Sequence, residues 1–154
     1  MEERSPFTHI LVPTDGSETS ISAARLAIQI AATHSVPITF VYVVDRITAE
    51  ELAGVTSKTT EAICQELENK GQRYLDYLSR LARNMGLQTN HVIRRGVPHR
   101  EIAELARERG MDLIVIGQVG RRGPHRVHLG SVSQRVIECT PCPVLVVRHT
   151  PARR

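Results

Sequence analysis

The sequence predicts an α/β fold, an open parallel sheet with helices on both faces. Apolar, β-rich runs alternate with stretches of helical period along the whole chain. The central runs are apolar at consecutive positions, not at every second one, and a glycine-rich segment leaves one of them to enter a helix. Parallel strands need long right-handed crossovers, which the intervening helices supply. Strands covered on both faces lose the polar alternation of half-exposed ones.

The first strand lies in HILVPTDGS (9–17), a short apolar run closed by a turn cluster. From Ser17, Ile21, Ala24, Ile28 and Ala31 recur at spacings of three and four, one face of a helix. Ser17 is placed as its N-cap, with Glu18 in the first turn where the dipole favours an anion. PITFVYVVD from Pro37 is the second strand, apolar enough to be buried on both faces. Arg46 to about Thr60 carries the weakest pattern and reads as a loop or an irregular helix start. Ile63, Leu67, Tyr74, Leu78, Leu81 and Met85 mark a long amphipathic helix, with Gly86 as its C′ residue.

LQTNHVIRRG is a weaker, alternating strand suited to an exposed or edge position. Pro98 starts a helix whose face is Ile102, Leu105 and Ala106, closed by Gly110. DLIVIG is the fourth strand. After the glycine segment a helix runs from Ser131 to about Cys139, and PVLVVR forms the fifth strand. No internal repeat or low-complexity segment interrupts this order, so one domain over residues 1–154 is expected.

The composition, 41% hydrophobic and 23% charged, is that of an ordinary soluble domain. Aromatic residues make up 3% and Trp is absent, so the core must be aliphatic. Stacking platforms for single-stranded nucleic acid are nearly missing, which makes nucleic acid the least favoured partner. A net charge of +4 allows an anionic partner without demanding one. No apolar stretch reaches the ~20 residues of a membrane span, and MEERSPF lacks a signal-peptide core. Three cysteines, an odd number, argue against a disulfide framework. The expectation is a cytoplasmic protein.

Ligands of open parallel sheets bind beyond the carboxyl ends of the strands, where the winding reverses. PTDGS (13–17) and IGQVGRRGPHRVHLGSVS (116–133) suit that place, each leaving an apolar strand through turn residues. Gly117 and Gly120 can take positive φ and admit a ligand close to the backbone. Gly130 brings the chain into the helix without a Cβ. Ser131, Val132 and Ser133 then offer first-turn N–H groups, and the serines add hydroxyls, at the positive end of a helix dipole.

That end contributes ~0.3–1 kcal/mol to an anion, whereas micromolar binding needs about 8 kcal/mol. A base slot, cations or a metal must share the task. Arg121, Arg122 and Arg126 are candidate cations, joined by His125 and His128 when protonated. Asp15 could hold Mg²⁺ on phosphate oxygens or accept a ribose hydroxyl. Neither a P-loop nor a G-x-G-x-x-G after the first strand is present.

Blander readings stand beside these. The glycines could form a simple connection, and the basic side chains a solvated loop. Cys139 and Cys142 form C-x-x-C without a second pair at metal spacing, so packed thiols are the favoured reading; Cys64 reads as a small hydrophobe. His99 reads as a surface residue at a helix start, and Asp45 and Asp112 as turn and cap residues.

The spacing Gly117-x2-Gly120-x9-Gly130-Ser131 resembles the ATP-binding signature of the universal stress protein family. VPTDGSE, VYVVD, GVPHREI, DLIVIG and PCPVLVV are similar to segments of that family in the same order, so the resemblance covers residues 7–148. It implies a Rossmann-like sheet of five strands in the order 3-2-1-4-5, homodimers, and ATP (or ADP or AMP) with Mg²⁺ in the cleft. Pro13, Thr14 and Asp15 would line that cleft, with Val43 and Ile116 against adenine. Gly117, Gly120, Gly130, Ser131, Val132 and Ser133 would surround ribose and phosphates. The sequence departs from the family pattern at Gln118, Pro124 and His128.

In the implied order the last strand lies at a sheet edge, where unpaired backbone groups invite a partner strand. A homodimer through Val144–Arg148 is therefore expected. The leading functional expectation is an ATP-binding regulator or sensor in stress response. A slow ATPase or phosphotransferase and a dimeric module that no longer uses ATP are the alternatives. Phosphoryl transfer needs a residue that orients the nucleophile, and none stands out.

Overall fold

Strand β1 (Ile10–Pro13) is buried at every position because it lies in the middle of the sheet. The computed structural model describes residues 4–118 and 129–148. β1 pairs with β2 (Ile38–Asp45) on one side and with β4 (Leu113–Gly117) on the other. β3 (Thr89–Gly96) and β5 (Val144–Val147) form the edges, giving five parallel strands in the order β3-β2-β1-β4-β5. This is the order that the family resemblance implied. The chain winds outward from β1 to β3, then returns to build β4 and β5 on the opposite side. The reversal between β1 and β4 opens a crevice at the strands' carboxyl ends.

Side chains that alternate across the strands feed two apolar layers. Ile10, Val12, Phe40 and Val115 pack with Ala24 and Ala27 of α1 (Glu18–His34) and with Leu75 and Leu78 of α3 (Thr60–Asn84). On the other face, Leu11, Val41, Ile114 and Ile116 meet Ile102 and Leu105 of α4 (Pro98–Glu108) and Val136 of α5 (Ser131–Cys139). Each fully buried aliphatic side chain contributes about 1.5–3 kcal/mol over an exposed one.

The helix signals work as expected at most ends. Ser17 caps α1 by accepting the Ser20 N–H at 3.2 Å. Beyond α3, Gly86 takes a φ of 77°, and after α4 Gly110 takes 60°. For the weakly patterned stretch after Asp45, read as a loop or an irregular helix start, the structure gives a regular helix, α2 (Arg46–Val55). Asp45 starts it by accepting the Ile47 N–H and the Thr48 hydroxyl, both at 3.1 Å. α2 buries Ala49, packs Ala53 partly against the core and leaves Ile47, Leu52 and Val55 exposed, so its core-facing stripe is narrow and made of alanines.

The two sheet edges differ. At β3, Arg94 pairs with Glu101 and Glu108, and Arg95 with Glu61 and Glu68. β5 is short and apolar, with Leu145 exposed, and it ends at Val147, one residue before the expected limit at Arg148. No helix among the described residues is long and apolar enough to cross a membrane.

Candidate functional site

A cavity of about 810 Å³ occupies the crevice at the carboxyl ends of β1, β2 and β4. Of the residues expected to form a site, Pro13, Thr14, Asp15, Val43, Ile116, Gly117, Gly130, Ser131, Val132 and Ser133 all line it. Gly120 and Arg121 lie outside the described residues, as do Arg122, His125, Arg126 and His128.

One wall is the turn from β1 into α1. Thr14 is buried; its hydroxyl lies 3.0 Å from that of Ser20 and accepts the Gly16 N–H at 3.3 Å. Asp15 Oδ1 accepts the Ser17 N–H at 2.9 Å. Gly16 sits between them with a φ of 80°, in the left-handed region that favours glycine.

The opposite wall runs from the end of β4 to the start of α5. The positive φ expected at Gly117 is absent, since the glycines of positive φ among the described residues are Gly16, Gly86, Gly96 and Gly110. Close packing is the reason for a glycine at 117. A Cβ there would come within 2.9 Å of Thr19 Cγ2 and 3.0 Å of the Thr19 backbone, where α1 crosses β4. Gly130 is the N-cap of α5 with a φ of −62°, and it offers no side-chain cap. Among the described residues no side chain therefore caps the first-turn amides of Ser131, Val132 and Ser133. Ser133 does not add a free hydroxyl proton as expected, because it is buried and donates to the Gly117 carbonyl at 2.7 Å. That bond and one from Gly130 N–H to Gln118 O at 2.7 Å hold α5 against the end of β4. Ser131 remains exposed at the cavity.

Between the walls, Val41, Val43, Ile102, Ile116 and Pro98 make an apolar slot. Pro98 and Ile102 were read from sequence only as a helix start and a core position. The available signal was topological: helices that follow parallel strands begin at the carboxyl end of the sheet, where the crevice lies. The cavity also reaches Tyr42, Asp45, Thr48 and Leu67, on the side of α2 and α3.

The remaining candidates fall elsewhere. Cys64 is buried, and Cys142 is half-buried against the apolar layer of α4 and α5. Cys139 departs from the packed-thiol reading: it ends α5 on an outward-facing turn and is exposed. No group of three or more His, Cys, Asp or Glu among the described residues could hold a metal ion. A cation in the cleft would thus take most of its ligands from a bound anion and water, with Asp15 as the carboxylate at hand. Half-buried His99 stands next to Pro98 at the start of α4. Burial, then the nearby charges of Arg135 and Arg100, hold its pKa below the ordinary 6.5, which favours the neutral ring. Asp112 serves as a cap, accepting the Thr8 hydroxyl at 2.8 Å and the His9 N–H at 3.1 Å.

Open amides at a helix start, an apolar slot and a carboxylate around one cavity suit a ligand with a flat apolar part, hydroxyls and an anionic tail. The chain is similar to known proteins over most of its length. The model of the Universal stress protein family matches residues 6–148. A universal stress protein of Methanocaldococcus jannaschii is 38% identical over 143 residues, covering 92% of this chain and 82% of its own length. The solved structure of universal stress protein UspA from Lactobacillus plantarum superposes with a TM-score of 0.81 at 27% identity, covering 94% of this chain and 99% of that one. The universal stress protein from Archaeoglobus fulgidus in complex with dAMP shares the fold at a TM-score of 0.68 and 21% identity, covering 91% and 97% of the two chains.

Proposed function

This chain belongs to the universal stress protein family, and on that premise we propose that its cleft binds an adenine nucleotide, ATP foremost, as a regulator or sensor in stress response. The observation that carries the reading is the start of α5, which has no side-chain cap among the described residues and whose Ser131–Ser133 line the same cavity as the Val43–Ile116 slot and Asp15. The A. fulgidus relative supports it by holding dAMP on the same fold.

In this reading the adenine lies in the slot of Val41, Val43, Ile102 and Ile116. Apolar burial supplies much of the free energy that the helix end cannot. The phosphates lie against the amides of Ser131, Val132 and Ser133, with Gly130 leaving room and Gly117, Gly120 and Arg121 belonging to the same set. Pro13 and Thr14 shape the wall beside the ribose. Asp15 accepts a ribose hydroxyl or binds Mg²⁺ carried by the phosphates; the ion's chemistry there is charge neutralisation. A cytoplasmic setting and a single domain over residues 1–154 belong to the same reading.

Calorimetry of the full chain with ATP and Mg²⁺ tests it. Saturable binding at one site per chain is expected, and adenine nucleotide should be found when the purified protein is denatured. A folded protein that gives no heat at high concentration and releases no nucleotide removes the proposal.

We also propose a homodimer through β5. Exposed Leu145 and the unpaired backbone of an apolar edge favour it, in contrast with the ion-paired edge at β3. Light scattering should give twice the chain mass for the native protein and one chain mass for Leu145→Arg. A native monomer at micromolar concentration overturns this.

A further inference from the structure

Tyr74 of α3 lies far along the chain from the cleft turn, yet its ring covers the face of Gly16 where a side chain would stand. A Cβ on Gly16 would overlap Cε2 and Cζ of that ring. The arrangement repeats one step away: a Cβ on Gly71 of α3 would overlap the ring of Tyr42, which lines the cavity from β2. The two rings lie beside each other, 6.4 Å between centroids and tilted by 39°. Gly16, Tyr74, Tyr42 and Gly71 thus interlock the cleft turn, the long helix and the second strand.

The turn has reason to need such support. Gly16 at a φ of 80° belongs to the residue with the widest choice of backbone conformations. The bonds that Thr14 and Asp15 make to the Gly16 and Ser17 amides are local, spanning two residues each. Local bonds can re-form in other turn shapes. A ring anchored in another element excludes those shapes by volume, and aromatic side chains give a large contact at little cost in side-chain freedom.

We infer that Tyr74 is a positioning residue of the cleft, fixing Thr14–Ser17 through Gly16 so that Asp15 meets the ligand in one orientation. The inference rests on the nucleotide-binding reading for its effect on affinity, but not for its effect on the turn. If loss of the ring leaves the turn in its cleft-forming shape about one-tenth of the time, apparent affinity falls about tenfold.

The test uses Tyr74→Ala and Tyr74→Phe in the full chain, with ATP and Mg²⁺ as the ligand and amide hydrogen exchange at Gly16 and Ser17 without it. Tyr74→Ala should remain folded, exchange faster at those two amides and bind ATP about tenfold more weakly. Tyr74→Phe, which restores the ring, should recover both properties. Should Tyr74→Ala fail to fold, Tyr74→Leu carries the same measurements. A folded variant without the ring that exchanges and binds like the native protein overturns the inference. If native protein binds no ATP, the nucleotide reading fails by itself and exchange alone decides: faster exchange upholds the positioning role, and unchanged exchange ends it.

Discussion

Among the helices that begin at the cavity, α1 and α5 end their backbones in opposite ways. α1 is closed by its own side chains: Ser17 accepts the Ser20 N–H, and Thr14 and Asp15 accept the amides just before the helix. α5 begins at Gly130, which has no side chain to turn inward. A helix start satisfied from within has little left for an anion, whereas an uncapped one keeps its donors for whatever enters the cavity. The difference assigns the tasks. In the proposed reading the α1 wall is scaffold with one carboxylate at its rim, and the α5 wall takes the ligand's negative charge.

Substitutions can break or sharpen this contrast. Gly16→Val should have the largest effect, because it combines a left-handed backbone with overlap on Tyr74. The backbone contributes about 1–2 kcal/mol and overpacking about 1–3 kcal/mol, so thermal unfolding should shift down by many degrees. A variant as stable as the native protein would mean that the turn is not held as described. Ser17→Ala removes the α1 cap and should cost about 1 kcal/mol in urea unfolding. ATP affinity should barely change, since that amide already belongs to the protein; a large loss of affinity would move the anion to α1. Gly130→Asp is the smallest change in stability and the sharpest in sign. The backbone at Gly130 suits any residue, and a capping carboxylate adds a few tenths of a kcal/mol to the helix. The same carboxylate competes with phosphate for the first-turn amides, so ATP binding should weaken while stability rises slightly. Unimpaired binding in this variant would refute the open wall.

Much of this arrangement was legible from composition and spacing. The α5 limits, Ser131 and Cys139, followed from a glycine before a helical period and a proline after it. The central strands were readable because burial on both faces makes them apolar throughout. α2 stayed open between a loop and an irregular helix start, because its core-facing side is two alanines and its start depends on Asp45 bonding locally. Gly117 does line the cavity, but without the positive φ that the sequence reading allowed it. Its neighbour across the fold is Thr19, and no rule of backbone conformation reveals a contact between elements so distant in sequence. Ser133 was placed at the cavity, but only the buried Gly117 carbonyl shows where its proton goes. Asp15 and Gly16 read as a turn, while the ring that covers Gly16 comes from a helix whose pattern announced only a core face.

The interlock also determines what light can report. The chain has no Trp and three Tyr residues, Tyr42, Tyr74 and Tyr77. Two of them form the ring pair beside the cavity, and the third accepts a hydrogen bond from Arg25 across α1 and α3. Two of the three intrinsic emitters therefore sit in the seam joining the long helix to the cleft, so the native protein carries its own optical gauge of that seam, with no dye to attach.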